Sequence, residues 1–278
     1  MNIGDYKIYP LFDGFFGLDG GAMFGVVPKP MWERTNPSDE KNRIRLALRP
    51  LLIATEKDLI LIDTGIGDKY DEKFAERYRV EKPDNLLASL ARAGFRPEEI
   101  TVVILTHLHF DHCGGSTRIQ ANWVMPTFPN ARYVVQEAEW QEALNTNRRS
   151  RTSYLKENFL SIQEMGLLEL VNGSTELLPG IELIHTGGHT TGMQIVKITS
   201  AGQTLIYWSD MIPTRGHIPV PYIMAFDLFP LKSMENKERL LNQAVNEGWI
   251  SFLEHDPEVF AGRIIKEDEK YRFEEIKI

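Results

Sequence analysis

The sequence predicts an α/β layered fold, and three observations support this prediction. Apolar runs rich in β-branched residues occur between segments whose apolar residues recur every three or four positions. The chain has 278 residues, of which 42% are hydrophobic and 25% are charged, so it can bury a large core. It has no internal repeat and no Gly/Ser-rich linker. Strands mixed with helices in this way predict a single domain over residues 1–278, with helices layered on sheets.

Eight segments are predicted to be strands and four to be helices. The strands lie at 6–12, 44–55, 58–63, 101–106, 131–135, 181–186, 193–199 and 204–210. The first helix has Asp84 as its N-cap, an apolar stripe over 86–91 and Gly94 past its end. The other helices are expected at 135–146, 152–165 and 232–247.

Composition and charge argue against several kinds of partner. The net charge of −8 gives no general attraction to a phosphate backbone, so we expect no nucleic-acid partner. No apolar run approaches the ~18 residues of a membrane span, so we expect no membrane contact. The N-terminus lacks a secretory pattern, and the single Cys113 excludes an intrachain disulfide. These features predict a cytoplasmic protein.

A dense group of metal-binding residue types follows the fourth predicted strand. The segment HLHFDH holds three histidines and one aspartate, and two glycines follow two residues later. Its first two histidines are two positions apart, which does not suit one helix face, so we predict a loop at the end of the strand. Imidazoles and a carboxylate suit zinc, iron, manganese or cobalt. Because one catalytic ion usually takes three protein ligands, the four donors predict two divalent metal ions. The four donors are His107, His109, Asp111 and His112.

The segment HLHFDH resembles the H-x-H-x-D-H signature of the metallo-β-lactamase superfamily. Further motifs that resemble those of the family follow its order along the chain: LILIDTGIGD (59–68) before the signature, then HTGGHTTG (185–192), LIYWSD (205–210) and FLEHDP (252–257). The resemblance covers most of the chain. It implies an αββα sandwich with a pair of metal ions at one end of the sheets.

The resemblance also implies how the ligands divide between the two ions. One ion would be held by His107, His109 and His189, and the other by Asp111, His112 and His255. Asp210 and a water or hydroxide would bridge the two ions. Asp63 and His185 would lie behind the ligands.

A metal pair of this kind supports hydrolysis without a serine or cysteine nucleophile. Two ions polarise a carbonyl or phosphoryl oxygen and hold a hydroxide at neutral pH. Asp111 would orient that hydroxide or carry its proton to the leaving group, and Asp210 is the second candidate catalytic residue. Asp210 argues against antibiotic hydrolysis, since the zinc β-lactamases lack an aspartate at that place. Residues 13–33 and 210–230 resemble the corresponding segments of metallo-hydrolases grouped with N-acyl homoserine lactonases and methyl parathion hydrolase-like enzymes, which implies a small, partly hydrophobic ester or lactone.

Two segments are expected to form the pocket for this small-molecule substrate. Residues 13–33 are Gly-rich with little strand character, and their apolar surface also favours a homodimer. Residues 210–230 contain four prolines, which is typical of a rigid loop. The candidate substrate-contacting residues are Phe24, His217, Tyr222, Phe226 and Phe229.

One departure from the lactonases leaves the substrate open. Those enzymes have a tyrosine three residues after the bridging aspartate, whereas this chain has Pro213. Either Tyr222 or His217 supplies the donor to the substrate carbonyl in its place, or the substrate differs. The alternatives are a phosphotriesterase-like hydrolase, a glyoxalase II-like thioester hydrolase, and a non-enzymatic metal-binding regulator on the same scaffold.

Overall fold

The computed structural model describes residues 1–276, so the predicted domain extends two residues beyond the described part. The strands are β1 Asn2–Ile3, β2 Tyr6–Pro10, β3 Phe15–Asp19, β4 Arg43–Ala47, β5 Leu51–Ala54, β6 Leu59–Ile62, β7 Val102–Ile104, β8 Thr117–Gln120, β9 Trp123–Pro126, β10 Arg132–Gln136, β11 Leu168–Val171, β12 Thr175–Leu178, β13 Ile181–His185, β14 Gln194–Ser200, β15 Gln203–Tyr207, β16 Ile250–Phe252, β17 Ala261–Glu267 and β18 Lys270–Glu275. The α-helices are α1 Gly20–Phe24, α2 Lys29–Trp32, α3 Glu72–Arg77, α4 Leu86–Arg92, α5 Phe110–Cys113, α6 Glu137–Leu144, α7 Leu160–Glu164 and α8 Pro230–Glu247.

The first large sheet has seven strands in the order β1-β2-β5-β6-β7-β10-β11. The strands β6, β7, β10 and β11 are parallel, and parallel neighbours need crossover connections that place helices on a face of the sheet. Helices α4, α6 and α7 pack on its outer face. The short run LLIA of β5 is buried on both sides: Leu52 faces these helices, whereas Leu51 and Ile53 face the other way.

The second large sheet contains β12 to β18 in chain order and is antiparallel except for the pair β15 and β16. Its inner face shares one core with the first sheet, in which Ile60 and Ile104 meet Val196 and Leu205. Helix α8 joins β15 to β16 and covers the outer face of this sheet. Helices therefore lie outside two facing sheets, and the predicted αββα sandwich is confirmed.

The predicted strand at 44–55 is in fact two strands in different sheets. Strand β4 pairs with β3 in a small two-stranded sheet, whereas β5 joins the first large sheet. Pro50 lies between them and lacks the N–H that a continuous ladder would need. The expectation of little strand character over 13–33 is also wrong, because β3 lies inside that segment.

The N-cap of α4 is Asn85 rather than the predicted Asp84. The Asn85 side chain accepts a hydrogen bond from the amide of Ala88 at 3.0 Å. Asp84 instead accepts from the guanidinium of Arg92 at 3.1 Å. The helix itself and Gly94 past its end, with φ of 91°, are as predicted.

The predicted helix at 152–165 is not continuous: its first residues are irregular, and a short 3₁₀ turn at Lys156–Asn158 precedes α7. The first residues of this segment instead form hydrogen bonds to other parts of the chain. The carbonyl of Ser153 accepts from the amide of Phe110 at 2.9 Å, and the hydroxyl of Tyr154 donates to the buried Glu139. The other two helices are close to their predicted bounds. No helix within residues 1–276 has the length and apolarity that crossing a bilayer requires.

Candidate metal centre

The candidate site lies at one edge of the sandwich, where strands of both sheets end. Asp63 follows β6, the segment 107–112 follows β7, and His255 follows β16. His189 lies in the turn between β13 and β14, and Asp210 lies in a 3₁₀ turn after β15 rather than on the predicted strand itself. Because these strand ends meet at the same edge, ligands from distant parts of the chain converge there.

The ligand segment is only partly the predicted loop. The amides of His112 and Cys113 donate to the carbonyl of His109 at 3.1 and 3.0 Å, so the segment closes into the single helical turn α5. Gly114 then passes so close to Ile66 that a Cβ would lie 2.1 Å from its carbonyl oxygen. Only glycine fits this approach, which holds the turn against the end of β6.

Three histidines and one carboxylate form the first cluster. The Nδ1 atom of His109 lies 3.1 Å from Nε2 of His189. The Oδ2 atom of Asp210 lies 3.1 Å from Nε2 of His189 and 3.8 Å from Nε2 of His107. All four side chains are buried.

The second cluster is built in the same way around the other oxygen of Asp210. Nε2 of His255 lies 3.1 Å from Nε2 of His112. The Oδ1 atom of Asp210 is 3.2 Å from the former nitrogen and 3.5 Å from the latter. Asp111 places Oδ2 at 3.7 and 3.6 Å from the same two nitrogens. Asp210 therefore faces one cluster with each of its oxygens.

These contacts fit a pair of cations. Two imidazole nitrogens 3.1 Å apart compete for one proton, and Nε2 of His107, Nε2 of His109 and Oδ1 of Asp210 are buried without a hydrogen-bond partner among the described residues. Burial lowers the pKa of His107 and of His109 well below the usual value, so both are neutral, as metal ligands must be. The ligand atoms within each cluster lie within 4.8 Å of one another. The site therefore fits a dinuclear metal centre.

The second ring nitrogen of three ligands donates to a fixed acceptor. Nδ1 of His112 contacts Oδ2 of Asp63 at 3.0 Å, as the resemblance implied for that aspartate. Nδ1 of His189 contacts Oδ1 of Asp227 at 2.9 Å, and Nδ1 of His255 contacts the carbonyl oxygen of residue 47 at 2.7 Å. Such bonds set the tautomer and the direction of each ring.

His185 is the last residue of β13, four positions before the ligand His189. Its Nε2 bonds to the carbonyl of Thr191 at 3.0 Å, and its amide donates to the Ser174 hydroxyl at 3.0 Å. Within the described residues its side chain therefore closes the turn that carries His189 rather than touching a ligand ring.

Glu139 is a buried carboxylate that the sequence reasoning missed. Its Oε1 accepts from the amide of Leu108 at 2.9 Å and from the Tyr154 hydroxyl at 3.0 Å, and its Oε2 accepts from the Thr190 hydroxyl at 2.5 Å. Leu108 separates the first two ligand histidines, and Thr190 follows the third. One side chain therefore ties together the two segments that carry the histidines of the first cluster. The sequence did offer one signal for Glu139. It lies four positions before Ala143, on the apolar face of a predicted helix.

Two further carboxylates were missed. Glu254 is buried and places Oε2 3.1 Å from Nδ1 of His112. Burial and the charge of Glu254 raise the pKa of Asp63 to about 7. The sequence signal for Glu254 was its place directly before the last ligand, whereas Asp227 lies far from any ligand motif and gave no signal.

A cavity of about 110 Å³ opens onto the two clusters. Five of the metal-ligand candidates line it: His109, Asp111, His189, Asp210 and His255. Six apolar residues also line it: Leu18, Met23, Leu46, Phe110, Met224 and Phe226. Three hydroxyl-bearing residues complete the lining: Tyr78, Thr152 and Ser153.

Of the five candidate substrate-contacting residues, Phe226 is the one that lines this cavity within the described part of the chain. Phe24 is fully buried and stacks on Trp32, with ring centroids 5.3 Å apart. Tyr222 packs edge-on against Phe24 at 6.2 Å, outside the cavity lining. Phe229 is 48% exposed at the start of α8. The loop of residues 210–230, which we call the proline-rich loop, therefore turns most of its aromatic side chains away from the cavity.

His217 is a structural residue outside the cavity lining and is not a hydrogen-bond donor to the substrate. Its Nδ1 lies 2.8 Å from the Thr214 hydroxyl, and its Nε2 lies 3.0 Å from the carbonyl of Met23. Its ring stacks on Phe24 with centroids 4.1 Å apart. Burial lowers the pKa of His217 to about 3, so the ring is neutral and both nitrogens are used. His217 therefore joins the proline-rich loop to residues 13–33, which we call the N-terminal segment.

The fold and the site define a metal-dependent hydrolase. Residues 50–255 match the model of the metallo-beta-lactamase superfamily, and the chain belongs to that superfamily. An N-acyl homoserine lactonase of Bacillus cereus is 29% identical over 230 residues, which cover 78% of this chain and 84% of the relative.

Two solved structures extend this similarity. A probable metal-dependent hydrolase from Staphylococcus aureus is 35% identical over the whole of both chains, with a TM-score of 0.91. An N-acyl homoserine lactone hydrolase with the product N-hexanoyl-L-homoserine bound at its catalytic metal centre is 25% identical. The structural match covers 93% of this chain and 95% of that hydrolase, with a TM-score of 0.71.

Proposed function

We propose that this hydrolase opens the ester ring of a small, partly hydrophobic lactone of the N-acyl homoserine lactone kind. The observation that carries the proposal is the cavity, which is lined both by residues of the two ligand clusters and by apolar side chains. A lactone with an acyl chain has both parts that such a cavity would take: a polar ester for the ligand clusters and an alkyl tail for the apolar side chains. The similarity to a curated lactonase over most of the chain supports the same substrate class.

The donor set of imidazoles and carboxylates suits zinc, and the same ligands accept iron, manganese or cobalt. When bound, a pair of such ions would polarise the ester carbonyl and lower the pKa of the attacking water. The residues of the first cluster would hold one ion, those of the second the other, and Asp210 would contact both. Asp111 lines the cavity and presents a carboxylate beside the reacting atoms, where it would accept the proton of the water and pass it to the leaving alkoxide.

Tyr78 is our candidate for the hydroxyl donor that Pro213 cannot supply. It lines the cavity, and its ring packs against Phe110 with centroids 4.8 Å apart. Burial raises the pKa of Tyr78, so the hydroxyl keeps its proton and can donate to an ester oxygen. We expect Tyr78→Phe to lower kcat/KM for a lactone about tenfold, the loss typical of one hydrogen bond of about 1.4 kcal/mol, with metal content unchanged. Full kcat/KM in this variant would remove Tyr78 from the reaction.

The substrate class is tested by assaying metal-loaded protein against four compounds. These are N-hexanoyl homoserine lactone, a simple aryl ester, a glutathione thioester and an aryl phosphotriester. We expect the lactone to have the highest kcat/KM. Faster turnover of the thioester or of the phosphotriester would replace the lactone with that substrate class. No turnover of any of the four by protein that holds both ions would favour a metal-binding regulator.

A further inference from the structure

The mouth of the active-site cavity lies between two segments of the chain. Phe226 lines the cavity and is 37% exposed, and Thr152 lines it and is exposed as well. These two residues therefore mark the place where the cavity opens to solvent. Phe226 belongs to the proline-rich loop, whereas Thr152 belongs to the connection that follows α6.

The cavity is too small to enclose a whole acyl lactone. Its volume of about 110 Å³ is below the ~300–1,000 Å³ of usual small-molecule sites. Because the ester has to lie at the metal-ligand residues, the far end of the acyl chain is expected to leave the cavity at its mouth. Residues around the mouth can therefore select for the chemistry of that far end.

Arginine side chains flank the mouth. The connection after α6 has arginines at 148, 149 and 151, and all three are exposed. Arg151 directly precedes Thr152. The guanidinium of Arg149 donates to the carbonyl of Ala225, which directly precedes Phe226. Arg149 therefore spans from one segment of the mouth to the other.

Both ends of this contact are held in place. On one side, the amides of Arg149 and Ser150 donate to Oδ1 of Asn147 at 2.8 and 3.0 Å, which closes a tight turn. On the other side, the amide of Ala225 donates to the carbonyl of Ala22 in the N-terminal segment at 2.8 Å. The guanidinium therefore has a defined position at the mouth, although it is exposed to solvent.

The charge of Arg149 has no carboxylate partner. Other arginines of the chain, such as Arg43 and Arg215, form ion pairs with acids, whereas neither Arg149 nor Arg151 forms one within residues 1–276. The carbonyl of Ala225 is neutral and contacts only one nitrogen of the guanidinium. Since a guanidinium has five N–H donors, Arg149 can still bind an anionic group with the remaining ones.

The acidic side chains around the cavity have other partners. Asp111 and Asp210 line the cavity, and both face the ligand clusters. Asp227 of the proline-rich loop is buried and contacts the ring of a ligand histidine at 2.9 Å. Glu142, near the end of α6, accepts from the amide of Thr191 at 2.8 Å. The two arginines are therefore left without an acidic partner at the mouth, as far as the described chain extends.

We propose that Arg149 binds a carboxylate at the far end of the acyl chain of the substrate. A guanidinium presents a planar pair of N–H groups that matches the two oxygens of a carboxylate. The preferred substrate is then a homoserine lactone acylated with a dicarboxylic acid, with its ester at the ligand clusters and its free carboxylate at Arg149. This inference rests on the proposed lactone hydrolysis and specifies the acyl chain of the substrate.

The test compares three pairs of homoserine lactones, acylated with succinate, adipate or suberate. Within each pair, the free end of the chain is either the carboxylate or the uncharged carboxamide of nearly the same size. The three chain lengths cover different distances from the ester to the mouth. We expect metal-loaded protein to have about fivefold higher kcat/KM for the carboxylate in at least one pair, which is in the upper part of the range for an exposed ion pair. This preference should weaken in about 1 M salt, which screens exposed charges.

Variants of Arg149 separate carboxylate binding from a merely structural role. Arg149→Gln should abolish the preference for the carboxylate, and Arg149→Lys, which keeps the positive charge, should retain part of it. If Arg149 only held the mouth together, Arg149→Gln would lower kcat/KM for both members of a pair alike.

The matched control is Arg263→Gln, which should keep the wild-type preference. Arg263 is also exposed and also donates to a backbone carbonyl, that of Gly248. It pairs with Ile250 at the start of β16, whereas His255 follows the other end of that strand.

Equal kcat/KM within all three pairs would overturn the proposal. A preference that persists in Arg149→Gln would also overturn it, because the carboxylate would then bind elsewhere, as at the metal ions. No turnover of any of these lactones would overturn the proposed function instead. The affinities of the same pairs for metal-loaded protein, measured by calorimetry in wild type and Arg149→Gln, would then decide whether Arg149 binds the carboxylate.

Discussion

The two sides of the active-site cavity are built in different ways. The metal side is made of short segments that follow strands, and the packing of the two sheets on each other brings together ligands as far apart in sequence as His107 and His255. The apolar side comes mostly from the N-terminal segment and the proline-rich loop, which are joined through the stacked pair Phe24 and His217, and Leu46 on β4 and Phe110 in α5 complete it. The reaction chemistry therefore depends on the sheets, whereas the fit of the substrate depends on two long connections packed against each other.

The largest effect should come from breaking the metal side at Asp210, since it alone faces both clusters. We expect Asp210→Asn to weaken metal binding more than about 100-fold, because even loss of an outer partner of a ligand costs about 10–100-fold. Lactone turnover should fall with it. Metal per chain after dialysis and turnover in the same preparation measure this. Asp5→Asn, at an exposed position, is the control, and wild-type metal content with wild-type turnover in Asp210→Asn would contradict a bridging role.

A smaller effect is expected from Glu139, which positions the first cluster without touching a ligand ring. Glu139→Gln keeps the shape of the side chain but turns one of its two acceptor oxygens into a donor, which no longer suits the amide and hydroxyls that point at it. We expect affinity for Co²⁺ to fall about 10–100-fold and the absorption spectrum of the bound ion to change. Glu137→Gln lies on the same helix at an exposed position and should behave as wild type. An unchanged Co²⁺ affinity and spectrum in Glu139→Gln would show that the network is merely structural.

The apolar side is tested by comparing two phenylalanines of the same loop. Phe226 lines the cavity, whereas Phe229 is 48% exposed outside its lining. We expect Phe226→Ala to raise KM for N-hexanoyl homoserine lactone about tenfold, from the loss of about 1.4 kcal/mol of apolar contact, with little change in kcat. Phe229→Ala should be near wild type. A larger KM effect at Phe229 would mean that the substrate lies across a different surface.

The smallest effect is expected at His217, which joins the proline-rich loop to the N-terminal segment. His217 is buried and neutral, with its pKa lowered to about 3, so the folded protein binds its proton less readily than the unfolded chain with a pKa of about 6.5. Its contribution to stability is present above pH 6.5 and is lost as the pH falls towards 3. Between pH 7 and 5.8 the wild type should lose about 1 kcal/mol more unfolding free energy than His217→Gln. Denaturant titrations at both pH values measure this, and equal losses would mean that His217 is not buried as a neutral ring.

The same comparison explains how much the sequence predicted. The ligands lie in short motifs at strand ends, so the resemblance named the seven residues that the structure brings together, and the fold followed from the same motifs. The substrate wall has no such local pattern. Whether Phe24 or Phe226 faces the cavity depends on the pairing of β3 with β4 and on contacts between residues about 200 positions apart, such as His217 with Met23.

Carboxylates that support a ligand residue were even harder to predict from the sequence. Glu139 and Asp227 belong to segments whose local patterns describe a helix and a loop, and their roles appear only when His189 is placed beside them. Asp63 was found because it directly follows a strand with a family motif. A place at a strand end beside the ligands therefore indicates some supporting residues but not all, since Glu254 directly precedes His255 and was still missed.

We have proposed that two ions on one chain hydrolyse a lactone. Titrating metal-free protein with Zn²⁺ while hydrolysis of N-hexanoyl homoserine lactone is followed tests both the number of ions and the substrate. We expect turnover to rise until two equivalents of Zn²⁺ per chain are bound and then to stay constant. A plateau at one equivalent, or no lactone hydrolysis when two ions are bound, would contradict this proposal.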